Sequence, residues 1–295
     1  MRILNVGSLN IDLVYQVEHF VRAGETLAST GFARYAGGKG LNQSVALARA
    51  GAQTYHAGKI GEDGLFLKRL LADVGANVEH VSETGSTTGT ALIQVDKSGQ
   101  NCILLYAGAN AEHTKEELER ALDGFGADDL LLTQNETNSL ALCMRLAKAR
   151  GMRVCLNPSP IDDALLAMPL DDVDCFLLNE VEGGALSGKS DPDDILSALA
   201  ERYPRAIIVL TLGKDGCLCA ADGKCYAQPC YPVKSVDSTA AGDTFTGYFL
   251  ATLGDGGDIP LALRRAAMAS AIAVTRKGAS PSIPTRDEVE RALQA

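Results

Sequence analysis

Short runs of apolar residues recur along the chain and alternate with longer segments whose apolar residues are spaced three or four apart. The runs that predict buried strands are Arg2–Gly7, Thr54–Gly58, Asp129–Thr133, Met152–Asn157, Asp174–Asn179 and Ala206–Thr211. The segments that predict amphipathic helices are Leu41–Ala50, Leu65–Val74, Glu116–Leu122, Ser139–Arg150 and Asp193–Arg202. This alternation predicts an α/β fold with a central, mostly parallel β-sheet and helices on both faces.

Two stretches interrupt the alternation and have no helical period. They are DLVYQVEHFVRAGETLASTGFARY at 12–35 and GTALIQVDKSGQNCILLYA at 89–107. In the second, two apolar runs flank the turn Lys97-Ser98-Gly99, which indicates a β-hairpin. We predict a single domain over residues 1–295, with residues 12–36 and 88–107 inserted as a small antiparallel β-sheet. This sheet can serve as a lid over a ligand or as a dimer surface, because its edges need covering.

The composition narrows the class of partner. The 295 residues are 46% hydrophobic and 22% charged, and the formal net charge is −10. This charge disfavours nucleic acid and anionic membranes as the main partner. No run of about 18 apolar residues is present, so no membrane span is predicted. The opening segment MRILNVGSLNID reads as a strand rather than as a signal peptide, and we expect a cytoplasmic location.

Four of the eight cysteines lie close together in the sequence, at Cys217, Cys219, Cys225 and Cys230. Their spacing is not a standard zinc-binding pattern. Cys217 and Cys219 also fall on one face of the apolar run CLCAA. We therefore favour packing in the core, with a metal site as the alternative.

The segment VDSTAAGDTFTGYFLATLG, at 236–254, indicates an anion site at the start of a helix. Its part Thr244–Leu253 has a broad apolar helical face, and Gly254 stands where a helix commonly stops. Three small residues precede this part, namely Ala240, Ala241 and Gly242. Their size lets a ligand approach the backbone closely, where exposed N–H groups and the helix dipole favour negative charge.

Asp243 lies in the first turn of this predicted helix and has two interpretations. A lone Asp at a helix start is usually an N-cap. Capping explains the Asp but not the three small residues in front of it. A phosphate cradle with an adjacent base explains both features, and we favour that interpretation.

A second glycine-rich segment, AGGKGLNQSVALARAG at 36–51, also precedes a predicted helix. Three glycines surround Lys39, but the phosphate-loop pattern G-x4-G-K-[ST] is not matched, and neither is the dinucleotide fingerprint. A glycine turn that presents backbone N–H groups beside Asn42 suits a polyhydroxylated ligand, whose hydroxyls need paired donors and acceptors.

Polar residues follow two further predicted strands. Asn179-Glu180-Val181-Glu182 comes directly after DCFLL, and Thr211–Gly216, TLGKDG, follows an all-apolar strand. Asn179 and Glu182 either cap the next helix or lie near Mg²⁺, which prefers carboxylates, water and phosphate oxygens. The TLGKDG segment is a turn by composition, and it can also form the wall of a nucleotide pocket.

The two glycine-containing segments resemble the signatures of a known family. AGGKGLNQSVALARAG resembles the first signature of the ribokinase-like (PfkB-type) carbohydrate kinases, and VDSTAAGDTFTGYF resembles the second, which contains D-T-x-x-A-G-D. The resemblance extends from GSLNID near the start, through GKIGEDG at 58–64, to TRKGASPSIP at 275–284. It covers almost the whole chain, and it implies a ribokinase-like fold whose small β-sheet is a lid.

The resemblance also implies roles for the matching residues. The implied catalytic residues are Asp243, as the base, with Ala241 and Gly242, whose N–H groups face the transferred phosphoryl group. The implied sugar-binding residues are Asn10, Asp12, Gly38, Lys39, Gly40, Asn42, Glu136 and Asp243. The implied nucleotide-binding residues are Asn179, Thr211, Leu212, Gly213, Lys214, Asp215, Gly216, Gly242 and Asp243. The implied metal residues are Glu182, near Mg²⁺ and phosphate, and a K⁺ site at Asp237, Thr239, Ala273, Arg276, Gly278 and Ser282.

The activity that the resemblance implies is transfer of a phosphoryl group from ATP to a sugar, with Mg²⁺ and an activating K⁺. Among family members the chain most resembles those that convert D-ribose to D-ribose 5-phosphate. The alternatives are a kinase for deoxyribose, fructose or adenosine, and a non-catalytic sugar-binding protein of the same fold. The resemblance also implies a homodimer formed through the β lid.

The sequence departs from the family pattern at two positions. Leu41 stands where an Ala is common, and Ala267 stands where an Asn often lies near adenine. Neither position is expected to touch the reacting atoms. We expect Leu41 to influence the choice of sugar.

Overall fold

Residues 1–294, described by a computed structural model, follow the predicted alternation of strands and helices. The strands are β1 (Arg2–Val6), β2 (Asn10–Gln16), β3 (Gly31–Gly37), β4 (Gln53–Ile60), β5 (Asn77–Glu83), β6 (Gly89–Val95), β7 (Asn101–Tyr106), β8 (Leu130–Gln134), β9 (Arg153–Asn157), β10 (Cys175–Asn179), β11 (Ile207–Thr211), β12 (Cys217–Ala221) and β13 (Lys224–Gln228). The helices are α1 (Lys39–Arg49), α2 (Leu65–Asp73), α3 (Lys115–Ala121), α4 (Leu140–Ala149), α5 (Asp163–Leu166), α6 (Glu180–Ser187), α7 (Pro192–Arg202), α8 (Ala241–Gly254), α9 (Ile259–Ala273) and α10 (Arg286–Gln294). Each predicted buried strand and amphipathic helix is confirmed.

The large sheet has the strand order β13-β12-β11-β10-β9-β8-β1-β4-β5. The seven neighbouring strands β11, β10, β9, β8, β1, β4 and β5 are parallel. Strands β12 and β13 add an antiparallel edge. Helices cover both faces: in β8, Leu130 and Leu132 enter one apolar core and Leu131 enters the other. Strands buried on both faces are typical of parallel sheets, and the predicted mostly parallel sheet is confirmed.

The small sheet has the strand order β3-β2-β6-β7. The predicted hairpin is confirmed, since β6 and β7 pair antiparallel and the Asp96 carboxylate accepts the N–H groups of Ser98 and Gln100 in the turn. The prediction of an entirely antiparallel sheet is wrong, because β2 pairs parallel with β6. Both strands run the same way because each directly follows a strand of the large parallel sheet, β1 and β5 respectively.

Helix α8 begins at Ala241, three residues before the predicted start, and it includes Gly254. Gly254 is the last residue of the helix, so the predicted end is confirmed. The left-handed backbone conformation that favours glycine lies further on, at Gly256, where φ is 83°. Among the helices of residues 1–294, none is long and apolar enough to cross a membrane.

The cysteine cluster divides between core and surface. Cys217 and Cys219 lie in β12 and are buried in an apolar core, as predicted. Cys225, in β13, is exposed and Cys230 is half-buried, so packing in the core is wrong for these two. Strand β13 is at the edge of the sheet, and none of its residues is fully buried.

Candidate active site

The start of α8 is open and uncapped. Ala240, the residue before the helix, has a left-handed backbone with φ 60°, and no side chain accepts a hydrogen bond from the first turn at this position. A Cβ atom added to Gly242 would meet no atom of the described chain within 4 Å. Backbone N–H groups at an open helix start bind anions, so the geometry suits a phosphate group, as predicted.

Asp243 does not cap the helix. The residue is only 7% exposed, and its carboxylate accepts hydrogen bonds from two side chains of α1. Asn42 Nδ2 donates to Oδ2 at 3.1 Å, and Gln43 Nε2 donates to Oδ1 at 2.9 Å. The alternative interpretation of Asp243 as an N-cap is therefore wrong, and the carboxylate lies at the cavity described next.

A cavity of about 240 Å³ lies in front of Asp243, and we call it the polar cavity. It brings together residues from two segments that are about 200 positions apart in the sequence, since Lys39 lines it together with Asp243. The other lining residues are Asn157, Leu177, Leu178, Asn179, Glu182, Thr211, Ser238, Ala240, Ala241, Gly242 and Thr246. The structure thus places all three predicted catalytic residues, Ala241, Gly242 and Asp243, around one opening.

The ammonium group of Lys39 supplies the positive charge that an anionic ligand needs. Burial favours the neutral form of Lys39, but the charges of three nearby carboxylates outweigh it and raise the pKa of Lys39. These carboxylates belong to Asp243, Glu136 and Glu182. The ammonium group therefore stays protonated at the edge of a buried acidic cluster.

Asn179 and Glu182 perform the capping role, which is one of the two roles that the sequence left open. They form a capping box at the start of α6: the Asn179 side chain accepts from the Glu182 N–H, and the Glu182 carboxylate accepts from the Asn179 N–H. Both side chains also line the polar cavity. The buried Glu182 carboxylate is thus held rigidly beside the open start of α8.

A second, larger cavity of about 420 Å³ adjoins the first, and we call it the apolar cavity. Both cavities are lined by Thr211, Ser238, Ala241 and Gly242, so they meet at the start of α8. The other residues of the apolar cavity are Gly213, Lys214, Gly216, Cys230, Tyr231, Pro232, Val233, Ser235, Phe245, Ala267, Ser270, Ala271 and Val274. One elongated ligand can therefore occupy both cavities, with its apolar part away from Asp243.

The apolar cavity accounts for part of the predicted nucleotide set. Thr211, Gly213, Lys214 and Gly216 line it, as does Ala267. Of the other predicted residues, Gly242 lines both cavities, and Asn179 and Asp243 line the polar cavity. Leu212 and Asp215 line neither cavity. The Leu212 side chain packs against an apolar core, and its place in the nucleotide site stays a prediction.

The sequence analysis did not predict that Cys230–Val233 form part of the wall of the apolar cavity. These residues lie between β13 and α8 and belong to no strand or helix. The only signal was the apolar side chains of Tyr231 and Val233 in a stretch without a regular period. Such a stretch does not identify the residues it contacts.

The predicted sugar-binding residues gather where β2, β3 and α1 meet. Gly38 has a φ of 94°, a conformation that favours glycine. Glu136 Oε2 accepts from Ser8 Oγ and from the Lys39 N–H, the latter at 3.1 Å. Asn10 Oδ1 accepts from Asn110 Nδ2 at 2.7 Å. The sequence analysis missed Ser8 and Asn110, which position these side chains.

Asp12 lies beside this group, on β2. A Cβ atom on Gly37 would overlap the Asp12 carboxylate, so the glycine gives that side chain its place. Burial, with a smaller contribution from the charge of Glu136, raises the pKa of Asp12 to about 7. Burial also raises the pKa of Glu136 despite its hydrogen bonds to Ser8 and Lys39. Two carboxyl groups therefore share a largely dehydrated space.

Asn42 and Leu41 are neighbours with different surroundings. Asn42 Oδ1 is buried and has no hydrogen-bond partner within residues 1–294. A buried acceptor without a partner is costly, and a ligand hydroxyl would satisfy it. Leu41, by contrast, is fully buried in an apolar core. The expectation that Leu41 influences the choice of sugar stays a prediction, and its position in the core gives that expectation no support.

The predicted K⁺ residues lie in the loop after β13, at the last residue of α9 and in the loop that follows α9. Asp237 Oδ1 accepts from the N–H and hydroxyl of Thr239, and Oδ2 accepts from the Gly278 N–H at 2.9 Å. Burial alone would raise the pKa of Asp237, but these hydrogen bonds and the charge of Lys277 lower it overall. The loops thus hold an ionised carboxylate among backbone and hydroxyl oxygens, which are donors that suit a hard cation.

The remaining K⁺ residues are placed differently. The Ala273 carbonyl accepts the Arg276 N–H, and the Arg276 side chain pairs with Glu288 at 2.6 Å. The Ser282 hydroxyl donates to the Ala279 carbonyl. Arg276 can therefore contribute to a cation site only through its backbone. Within residues 1–294, no three His, Cys, Asp or Glu side chains are grouped to hold a metal ion by themselves.

Comparison with known proteins identifies the class to which this fold and site belong. A family model described as pfkB family carbohydrate kinase matches residues 2–286. The chain belongs to this family, whose members transfer a phosphoryl group to a sugar hydroxyl, and the predicted family and enzyme class are confirmed.

Individual relatives agree with this assignment. The chain is 36% identical over 301 residues to the ribokinase of Haemophilus influenzae, covering 98% of this chain and 97% of that protein. The structure of Arabidopsis thaliana ribokinase complexed with ribose and ATP matches with a TM-score of 0.87 and 30% identity, covering 100% of this chain and 99% of that one. The ribokinase of Cryptococcus neoformans in complex with ADP matches with a TM-score of 0.86 and 33% identity, covering 99% of each chain. The predicted ribokinase-like fold is confirmed.

Proposed function

We propose that this chain transfers the γ-phosphoryl group of ATP to D-ribose and forms D-ribose 5-phosphate. The observation that carries the proposal is the buried carboxylate of Asp243 beside the open start of α8, where the polar and apolar cavities meet. The likeness to ribokinases over nearly the whole chain supports ribose as the sugar. The similar structure of Arabidopsis thaliana ribokinase complexed with ribose and ATP supports ATP as the donor.

In this proposal Asp243 is the catalytic base. The ribose 5-hydroxyl faces its carboxylate and attacks the γ-phosphorus in line, while Asp243 accepts the hydroxyl proton. The N–H groups of Ala241 and Gly242 stabilise the charge on the transferred phosphoryl group. Lys39 adds a positive charge on the same side of the polar cavity.

The sugar is held by the polar residues at the meeting point of β2 and α1. Asp12, Asn42 and Glu136 pair with its hydroxyls, and the buried Asn42 Oδ1 gains the donor that it lacks in the protein alone. Asn10 and the glycine turn Gly38–Gly40 complete this set. Fixing the hydroxyls leaves one oxygen within reach of Asp243, which lowers the entropy cost of the reaction.

The nucleotide lies across both cavities. Its base occupies the apolar cavity, beside Ala267 and the 211–216 turn, and its phosphates extend toward Gly242 and Asp243. Asn179 lines the polar cavity, where the phosphates lie. The apolar lining suits a flat aromatic base, because burial of its faces is favourable.

Two cations are part of the proposal. Mg²⁺ would be held by the phosphates with Glu182, whose buried carboxylate lines the polar cavity, and it would neutralise phosphate charge. K⁺ would be held by the loops around Asp237, Thr239 and Gly278, with carbonyl oxygens from Ala273, Arg276 and Ser282. The loop with Asp237 and Thr239 leads directly into α8, so an ion there would steady the start of that helix.

The small sheet of β3, β2, β6 and β7 is proposed to be a lid over the sugar and the contact surface of a homodimer. Every residue of β7 is exposed, and Leu104 and Tyr106 are 69% and 60% exposed. Apolar side chains on an exposed edge strand favour a protein partner. A lid that excludes water also limits wasteful hydrolysis of ATP. A cytoplasmic location is part of the proposal, because ATP is the donor.

The test is ADP release from the purified protein with ATP, Mg²⁺ and K⁺, measured with D-ribose, deoxyribose, fructose and adenosine. We expect the highest kcat/KM for D-ribose and a lower rate when Na⁺ replaces K⁺. A preference for another compound in the panel would retain the transfer chemistry and change the substrate. ATP binding without turnover on any of the four would contradict the proposal and favour a sugar-binding protein of the same fold.

A further inference from the structure

The carboxylate of Asp243 is held by a residue that the sequence motifs did not single out. Gln43, in α1, is fully buried, and its Nε2 donates to Asp243 Oδ1 at 2.9 Å and to Asn157 Oδ1 at 3.1 Å. We propose that Gln43 is a positioning residue that orients Asp243 for proton acceptance. This inference rests on the proposed role of Asp243 as the base.

A chain of hydrogen bonds fixes which end of the Gln43 amide faces Asp243. Gln43 Oε1 accepts from Gln134 Nε2 at 2.7 Å, and Gln134 Nε2 also donates to Asn5 Oδ1 at 2.9 Å. Asn5 Nδ2 donates to the Gly40 carbonyl at 2.9 Å. A backbone carbonyl can only accept, so Asn5 must turn its nitrogen to Gly40 and its oxygen to Gln134.

The opposite side of Gln43 is fixed in the same way. Asn157 Nδ2 donates to the Leu177 carbonyl at 2.8 Å, so Asn157 turns its oxygen toward Gln43. A reversed Gln43 amide would place its oxygen against both Asn157 Oδ1 and the Asp243 carboxylate. The two carbonyls at the ends of the chain therefore require Gln43 to direct its N–H groups at Asp243.

The network is costly as a purely structural device. Gln134 is fully buried, and its Oε1 has no hydrogen-bond partner within the described chain. A buried network with an unpaired acceptor is less stable than an apolar core of the same shape. Orientation of the Asp243 carboxylate accounts for a polar network at this place.

Gln43 and Asn42 hold the two oxygens of Asp243 but differ in their access to ligands. Asn42 Oδ1 is left for a ligand, whereas all the polar atoms of the Gln43 side chain are used within the protein. Neither side chain lines either cavity, so the contrast lies in this free acceptor alone. Loss of its donor should therefore affect transfer and leave the binding of ribose and ATP intact.

The test is steady-state kinetics of Gln43→Met, which keeps the length of the side chain but cannot donate. We expect kcat for D-ribose to fall about 10²-fold, while the KM values for ribose and ATP stay near those of the wild type. Gln43→Glu keeps an acceptor for Gln134 but turns a carboxylate toward Asp243, and it should lose at least as much kcat. Gln53→Met, at an exposed glutamine, is the matched control and should retain full activity.

Three results would overturn the positioning role. One is a folded Gln43→Met variant with wild-type kcat, and another is a higher KM with unchanged kcat. If Gln43→Met does not fold, as judged by circular dichroism, Gln134→Met tests the same chain of hydrogen bonds. An unchanged kcat in that variant is the third result.

Wild-type protein without turnover on any sugar would overturn the proposed function and this inference with it. An active wild type with an unaffected Gln43→Met would overturn the inference alone.

Discussion

Asn42 in α1 donates a hydrogen bond of 3.1 Å to Asp243 in α8, although 201 positions separate the two residues in the sequence. The bond spans the contact between two helices that pack directly against each other. The packing of α1 on α8 therefore determines where the Asp243 carboxylate lies. A change in that packing should alter activity as well as stability.

Gly247 tests this packing directly. A Cβ atom there would overlap the Ala46 side chain and lie 2.7 Å from the Leu47 nitrogen. We expect Gly247→Ala to lower the free energy of unfolding by about 1–3 kcal/mol, because overpacking outweighs the gain in helix propensity. Urea denaturation measures the effect. An equal or greater stability than wild type would show that α1 and α8 do not pack closely at this point.

Gly242→Ala is the matched substitution at the open end of the same helix. No atom of the described chain lies within 4 Å of the added methyl group, so stability should not fall. The methyl group would enter the space in front of the helix start, and kcat/KM for ATP should drop by about 10²-fold through misplacement of the phosphates. Unchanged kinetics would mean that no phosphate approaches this part of the backbone.

The raised pKa of Asp12 predicts that the stability of the protein depends on pH. Burial, with a smaller contribution from Glu136, raises its pKa to about 7 in the folded protein, against about 3.9 in an unfolded chain. The folded state then binds more protons than the unfolded state between these values, so Asp12 lowers stability as the pH rises from about 4 to about 7. Asp12→Asn should remove this contribution.

The measurement is the free energy of unfolding of wild type and Asp12→Asn by urea at several pH values. The difference between the two proteins cancels the titration of the other groups. We expect Asp12→Asn to gain stability relative to wild type as the pH rises through this range. A difference that is independent of pH would contradict the raised pKa.

Leu104 tests the proposed dimer. An aspartate in place of this exposed leucine of β7 would put a charge into the proposed contact surface, and burial of an unpaired charge is costly. We expect Leu104→Asp to elute as a monomer in size-exclusion chromatography with light scattering, whereas wild type is a dimer. Leu166→Asp, at an exposed leucine of α5, is the control and should remain dimeric. A monomeric wild type would refute the proposed dimer.

The strands and helices were predictable because their signals are local. Fully buried strands such as β8 need continuous apolar runs, and the capping box of Asn179 and Glu182 is visible in the N-x-x-E spacing. The parallel pairing of β2 with β6 was not predictable in this way. It depends on where each strand leaves the large sheet, and no local pattern reports that.

The candidate site was predictable in part for the same reason. The small residues before Asp243 are adjacent in the sequence, so they indicated an anion site. The bonds from Gln43 to Asp243 and to Asn157 join segments 200 and 114 positions apart, and neighbouring residues do not reveal them. The burial of Leu41 in the core was not predicted, because the helical position that faces the core was not distinguished from the one that faces the ligand.

The most direct test of the central claim is the kcat of Asp243→Asn with D-ribose and ATP. Asparagine keeps the shape of the side chain but cannot accept the hydroxyl proton, and we expect kcat to fall by about 10²–10⁴-fold. Asp255→Asn, at the other end of α8, is the control and should remain active. A folded Asp243→Asn protein that phosphorylates D-ribose at close to the wild-type rate would contradict the assignment of Asp243 as the base.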